Sequence, residues 1–243
     1  MRHPKTLAMR INGFWVSDDF KPLNIDSVAD VAMNFHTIFI KKAVDSAGGQ
    51  GVICFKQESG KSALIEQLNK LDSNTVIQAG LTQHPEMSRL NPSSVNTVRV
   101  LSFLQKSGDV KILSTVVRMG RNGSYVDNAS SGGVTVGVDA SGRLKSVGYD
   151  IKGNKYYEHP DTKTRFNDVC IPDYTNIIKE IKVLQWQLCQ FRLLSWDIAI
   201  DSDGQPVLIE VNMHSGQLDF HQLNNGPVFG EDTPLILEEV FGK

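Results

Sequence analysis

No stretch of the chain approaches the roughly 18 consecutive apolar residues that cross a bilayer, and Met1 to Arg10 lacks the apolar centre of a secretory signal. Lysine- and arginine-rich tracts are missing too. With a net charge of −2 and a pI near 6.3, the sequence carries no electrostatic footprint for nucleic acid. Cysteine is scarce: Cys54, Cys170 and Cys189 are scattered, odd in number and without C-x-x-C spacing, so they read as reduced, mostly buried thiols of a cytoplasmic chain. No internal repeat or low-complexity segment stands out. The pattern G-x-G-x-x-G is absent, which excludes a dinucleotide fold, and Gly60-Lys61-Ser62 fails as a phosphate loop because Phe55 stands where that loop needs glycine. No Ser/His/Asp or Cys/His arrangement is recognisable, so the chemistry has no evident side-chain nucleophile. What remains is a globular composition, 40% hydrophobic and 21% charged over 243 residues, enough for one sizeable core or two small ones.

The most informative stretch is Ser195 to Gly216, SWDIAIDSDGQPVLIEVNMHSG. Two alternating runs flank Asp203-Gly204, a strong hairpin signal. A two-residue turn there sets Ser202 against Gln205 and, counting outward, Asp197 against Glu210. Asn212 then shares their face, while Trp196, Ile198, Ile200, Ile209 and Val211 fill the other. Opposed carboxylates repel. A hard divalent cation removes that cost, and Asp, Glu and Asn oxygens suit Mg²⁺. The alternative is a solvated acidic face.

Upstream, Ile11 to Val16 and Phe20 suggest a hairpin, and Asp26 caps a helix with Val28, Val31, Ala32 and Phe35 on one stripe. Strands Thr37 to Lys42 and Val52 to Lys56 flank the glycine-rich stretch Asp45 to Gly51. A helix from Ser59 or Gly60 to Leu71 follows, then a strand from Thr75 to Gly80. Thr97 to Gln105 and Val110 to Met119 form a long hairpin. Arg99 and Arg118 alternate with its apolar residues, so they point to the polar side of a core sheet. Guanidinium there suits an anionic ligand, with a structural salt bridge as the alternative. Asn122 to Gly133, with Asn128, is a polar loop too rich in small residues for core. A hairpin from Val134 to Tyr149 leads to a surface excursion, Asp150 to Asn167, with His159 as a loop residue. The longest helix runs from Pro172 to about Leu193 and includes Cys189 as packing. Leu235 to Phe241 forms a short terminal helix.

The aspartate on one strand, followed by a strand ending E-V-N and a small-residue loop, resembles the metal-binding end of the ATP-grasp ligases. SSVNTVRVLSF, VVRMGRNGSYVDNASSGGVTVGVD and WDIAI…PVLIEVN together are similar to the sugar-transfer-associated ATP-grasp group, related to glutamate-ligase-like proteins, from about Phe39 onward. The resemblance implies an α+β ATP-grasp fold with the nucleotide between two subdomains. Residues 1–85 would carry the glycine loop and an N-terminal extension, and residues 86–243 the metal site. It implies that Lys41 reaches the phosphates, with Lys42 as the alternative, and that Gly48, Gly49 and Gly51 fold over them. Gln78, Ala79 and Leu81 would frame the adenine. Arg99, Arg118 and Asn128 would stand near the transferred phosphoryl group or the acceptor, and His214 and Ser215 near phosphate or substrate. Asp197, Glu210 and Asn212 would hold the metal.

The function so implied is an ATP- and Mg²⁺-dependent ligase joining a small-molecule carboxylate to an amine through an acyl phosphate, on a sugar acid or another precursor of polysaccharide biosynthesis. Two other classes stay open: a Mg·ATP-binding module without turnover, and a kinase acting on a hydroxyl. About 36 residues precede Thr37, fewer than the N-terminal domain that such ligases carry. The expectation is a truncated chain, a minimal member, or one completed by a partner chain or oligomer.

Overall fold

The computed structural model describes residues 1–43, 51–72, 74–123, 132–213 and 216–242. It divides into two compact units, His3–Leu81 and a larger one of Met1–Arg2 with Thr82–Lys243. Both are α+β, and every strand pairing in their sheets is antiparallel.

The smaller unit is a six-stranded sheet ordered β3-β2-β1-β6-β4-β5. Its strands are β1 (Thr6–Ile11), β2 (Phe14–Val16), β3 (Pro22–Leu23), β4 (Thr37–Lys42), β5 (Ile53–Lys56) and β6 (Thr75–Ala79). The first hairpin begins earlier than its sequence signal, because Thr6–Ile11 pairs along both edges and turns at Asn12-Gly13. Helices α1 (Ile25–Ala32) and α2 (Lys61–Asn69) supply Val28, Ala29, Ala32, Leu64 and Leu68 to a core shared with Leu7, Ala8, Ile38, Ile40 and Ile77. The cap of α1 is Asn24 rather than Asp26: Asn24 Oδ1 accepts from Ser27 N at 2.8 Å, satisfying a first-turn donor. Val31, expected on the buried stripe, faces outward and is 38% exposed.

The larger unit is a seven-stranded sheet ordered β11-β10-β9-β8-β7-β12-β13. It contains β7 (Thr97–Leu104), β8 (Val110–Met119), β9 (Val134–Val138), β10 (Leu144–Tyr149), β11 (Lys155–Tyr156), β12 (Leu193–Ile200) and β13 (Pro206–Asn212). The short helix α3 (Pro85–Ser88) precedes the sheet in the chain. Alternation sends Val98, Val100, Val117, Met119, Val134, Val136, Trp196 and Ile198 to one face, where α4 (Tyr174–Gln187) packs with Ile177 and Ile181. The helix stops six residues short of the sequence expectation. Gln185 turns its amide nitrogen onto Phe191 O at 2.9 Å, and Leu193 and Leu194 pair with β7 as strand. Cys189, just past that end, is exposed rather than packed.

The stretch from Asp150 to Asn167 is not a plain surface excursion. Phe166 and His159 are fully buried. His159 Nε2 meets Gly120 O at 2.8 Å, and Nδ1 accepts from the backbone of Asp161 and Thr162. Burial depresses the His159 pKa. Helix α5 (Leu218–Asn225), which has no apolar stripe in sequence, covers the opposite face of the sheet over β8 and β9, and α6 (Thr233–Phe241) follows it.

Candidate functional site

The β12–β13 hairpin turns differently from the expected two-residue turn. Asp201 N donates to Gln205 O and Gly204 N to Asp201 O, both at 3.0 Å, so three residues make the connection. Asp201 Oδ1 accepts from Asp203 N and Gln205 N, and Gly204 sits at φ +78°, which favours glycine. This shifts the register by one, giving Ile200 opposite Pro206 and Ile198 opposite Leu208. An extra residue on β13 between the Ile198 and Asp197 pairs shifts it back. Asp197 therefore does stand opposite Glu210, with Trp196 opposite Val211 and Ser195 opposite Asn212. Leu208 and Val211 of β13, not Ile209, pack against the core beneath α4, and Val207 is buried at 1% exposure.

Asp197 and Glu210 do not share one environment. Glu210 is exposed. Asp197 is buried at 3% exposure and is gripped side-on by Arg99, its register partner on β7. Arg99 Nε donates to Oδ1 at 2.6 Å and Nη2 to Oδ2 at 2.5 Å, while Arg118 Nη1 from β8 donates to Oδ2 at 3.2 Å. Gln217 Oε1 accepts from Arg99 Nη1. Two guanidinium groups against one carboxylate leave a charge of +1, which the carboxylate of Glu210 opposite Asp197 balances. The opposed carboxylates are thus relieved by arginine before any metal is considered. Asn212 is half-buried, and its Nδ2 has no partner among the described residues.

The donor types suit a hard cation: Asp197 carries a carboxylate, Glu210 stands opposite it, and Asn212 lies two residues further along β13. Phosphate oxygens would supply the remaining ligands. No cluster of three or more His, Cys, Asp or Glu capable of holding a metal occurs among the described residues.

In the smaller unit Lys41 Nζ donates to Gln78 Oε1 at 2.9 Å, so two residues predicted separately meet. Both lie on the sheet face turned away from α1 and α2, since neighbouring Ile40 and Ile77 face those helices. Lys42, on the other side, is exposed with its aliphatic carbons beside Gly51. The N–H of Ala79 donates to Lys5 O at 2.9 Å and that of Gly80 to Thr37 O at 2.8 Å. Leu81 is half-buried, and Gly51 is exposed. Gly48, Gly49, Asn128, His214 and Ser215 lie outside the described residues.

The sequence reading missed the polar underside of α5. His221 and Asn224 are buried, and Asn225 lies beside them. His221 Nδ1 meets Ser114 Oγ at 2.8 Å, Asn225 Nδ2 donates to Ser114 Oγ and Thr115 O, and Asn224 Nδ2 donates to Thr135 Oγ1. Burial pushes the His221 pKa down to about 4, with Arg99 and Arg118 adding to the effect, so the ring is neutral at pH 7. The only signal in sequence was the position of DFHQLNN directly after E-V-N and its loop.

Solved structures define the class by fold. D-Alanyl-alanine synthetase A from Vibrio cholerae overlaps 99% of this chain and 60% of its own, at TM-score 0.54 and 13% identity. The ATP-grasp ligase PsnB, solved with a minimal precursor, overlaps 100% of this chain and 57% of its own, at TM-score 0.55 and 12% identity. The same ligase with precursor, Mg and ADP overlaps 98% and 54%, at TM-score 0.54 and 12% identity. The chain therefore has the ATP-grasp fold and spans at most 60% of these neighbours. Residues 1–233 match the sugar-transfer-associated ATP-grasp family, and the chain belongs to it. No curated protein matches the sequence.

Proposed function

We propose that this chain is the nucleotide-binding part of an ATP-dependent carboxylate–amine ligase. The observation that carries the proposal is the buried Arg99–Asp197–Arg118 triad beside Glu210, which puts fixed positive charge next to carboxylate oxygens suited to Mg²⁺. Phosphoryl transfer needs little else from a protein than positioning and neutralisation of charge. Lys41, oriented by Gln78, would hold phosphate, with Gly48, Gly49 and Gly51 covering it and Ala79 and Leu81 against the base. Arg99, Arg118 and Asn128 would steady the transferred group. Asp197, Glu210 and Asn212 would hold Mg²⁺, which supplies charge neutralisation at the phosphates. A carboxylate so phosphorylated, with release of ADP, becomes an acyl phosphate; attack by an amine then gives an amide and expels inorganic phosphate. The family's association with sugar transfer supports a sugar acid or another polysaccharide precursor as acceptor. A partner chain or an oligomer would complete the acceptor side.

ADP release distinguishes the outcomes. A ligase turns over fully only with Mg·ATP, a carboxylate and an amine together. Turnover on hydroxyl compounds alone would make the chain a kinase, and binding without any ADP release would make it a nucleotide-binding module.

A further inference from the structure

Beyond the end of β7 far from Arg99, the β7–β8 turn and helix α4 border a groove of about 430 Å³. Its lining includes Gln105, Gly108, Asp109, Lys111, Lys182 and Trp186. The size falls within the roughly 300–1,000 Å³ usual for small-molecule sites. Helix α4 buries Ile177 and Ile181 against the sheet, and Lys182 and Trp186 stand one turn apart on its outer side. Trp186 is 54% exposed, so much of the area that an indole can bury is left open. The ring is nevertheless held in place. A Cβ on Gly108 would sit 3.2 Å from Trp186 Cζ2, so glycine, here at φ +94°, lets the turn come up against the indole.

The polar part of the lining is unusual at Gln105. This residue is buried, 8% exposed, yet its side-chain amide makes no hydrogen bond within the described residues. Its backbone is committed to the turn: Gln105 N donates to Asp109 O at 2.9 Å, and Gln105 O accepts from Gly108 N at 3.0 Å. Folded proteins pair nearly all buried polar groups, so an unpaired amide at a groove points to a ligand. Asp109 Oδ2 accepts from Ser107 Oγ at 3.1 Å, and Lys111 is ion-paired with Asp232. Lys182 has no ion pair among the described residues. The groove thus sets a flat apolar ring beside an amide that donates and accepts, a carboxylate that accepts and an ammonium that donates. A compact anion makes no use of Trp186 and is repelled by Asp109. A wholly apolar ligand leaves the amide unsatisfied. A pyranose ring matches both halves, with the C–H groups of one face on the electron-rich indole and its hydroxyls on the polar groups.

We propose that the groove between Trp186 and the β7–β8 turn is a saccharide-binding site, in which a pyranose ring stacks on Trp186 and hydrogen-bonds to Gln105, Asp109 and Lys182. The site lies apart from Arg99, Asp197 and Arg118 and does not depend on the ligase proposal.

The test is saturation-transfer NMR on the full chain with the methyl glycosides of glucose, galactose, mannose, N-acetylglucosamine and glucuronic acid. The expected result is transfer to the C–H protons on one ring face of at least one glycoside. Trp186→Ala should abolish that transfer, and Trp186→Phe should retain part of it, because a flat ring persists. Gln105→Leu keeps the volume but deletes the amide, and should weaken binding about fivefold, the size of one neutral hydrogen bond. All three variants should keep the wild-type response of the melting temperature to Mg·ATP, which shows that they fold. A tryptophan that only braces the turn would not separate Ala from Phe in glycoside binding. Absence of transfer to every glycoside, or equal transfer in Trp186→Ala, would overturn the site and leave water as the partner of Gln105. Adenosine serves as the control: Trp186-dependent binding of adenosine without any glycoside would give the groove to a planar base and overturn the proposal as well. The ligase proposal fails separately, on ADP release.

Discussion

Asp197 and Glu210 face each other across two strands yet respond differently to the loss of charge. Asp197→Asn removes the buried carboxylate that both guanidinium groups share and should destabilise the fold by about 3–5 kcal/mol. Glu210→Gln at an exposed position should change stability by less than about 0.5 kcal/mol while abolishing phosphoryl transfer. Urea unfolding and ADP release of the two variants, run with wild type, check both halves. Equal destabilisation would mean that the arginines do not hold Asp197 in solution. His221 adds a pH dependence. Its folded pKa of about 4 lies below the usual histidine value of 6.5, so the unfolded chain takes up the proton first as pH falls. Stability is full above about 6.5 and falls toward pH 4, by on the order of 3 kcal/mol from this residue alone. His159 pulls in the same direction. Denaturant midpoints should therefore drop more steeply between pH 6.5 and 4.5 in wild type than in His221→Gln. Parallel slopes would show that His221 is not buried as a neutral ring.

Helix α5 owes its place to a missing side chain on the strand beneath it. A Cβ at Gly137 would sit 2.3 Å from Asn225 Oδ1 and 3.1 Å from Asn224 O. Gly137→Ala should thus push the C-terminal end of α5 off β9 and destabilise the protein by about 1–3 kcal/mol. Thermal melts and amide exchange along Leu218–Asn225 would show it, and unchanged protection there would contradict the close packing. This helix also marks where the sequence stopped being informative. Apolar periodicity located α1, α2, α4 and most strands, because those elements bury apolar faces against apolar faces. Helix α5 buries His221 and Asn224 against Ser114 and Thr135, and a polar face on a polar sheet leaves no hydrophobic stripe. The arginines were legible as polar-side residues on alternating strands. Their common carboxylate was not, since it comes from a strand nearly a hundred residues away.

At the scale of the whole chain, Mg·ATP should stabilise the folded protein by roughly 2.7 kcal/mol at about 100 times its dissociation constant. Lys41→Ala should weaken that effect more than Lys42→Ala, since Lys41 shares its sheet face with Gln78 and Lys42 does not. A melting temperature indifferent to saturating Mg·ATP would refute nucleotide binding, and the reverse order of the two lysines would reassign the phosphate contact. The α+β architecture was implied by the family resemblance, while the strand and helix signals located most of its elements. The double register shift in the β12–β13 hairpin was not legible in them, because both shifts leave the same residues opposite each other at the site. That cancellation insulates the working end of the hairpin from its tip. A straight ladder closed by two residues and a bulged ladder closed by three present the same Asp197–Glu210 rung, and differ only in the few residues between. The third residue of the loop at Ser202 to Gly204 is therefore matched by one extra residue on β13, and the step it introduces ends before it reaches the carboxylates.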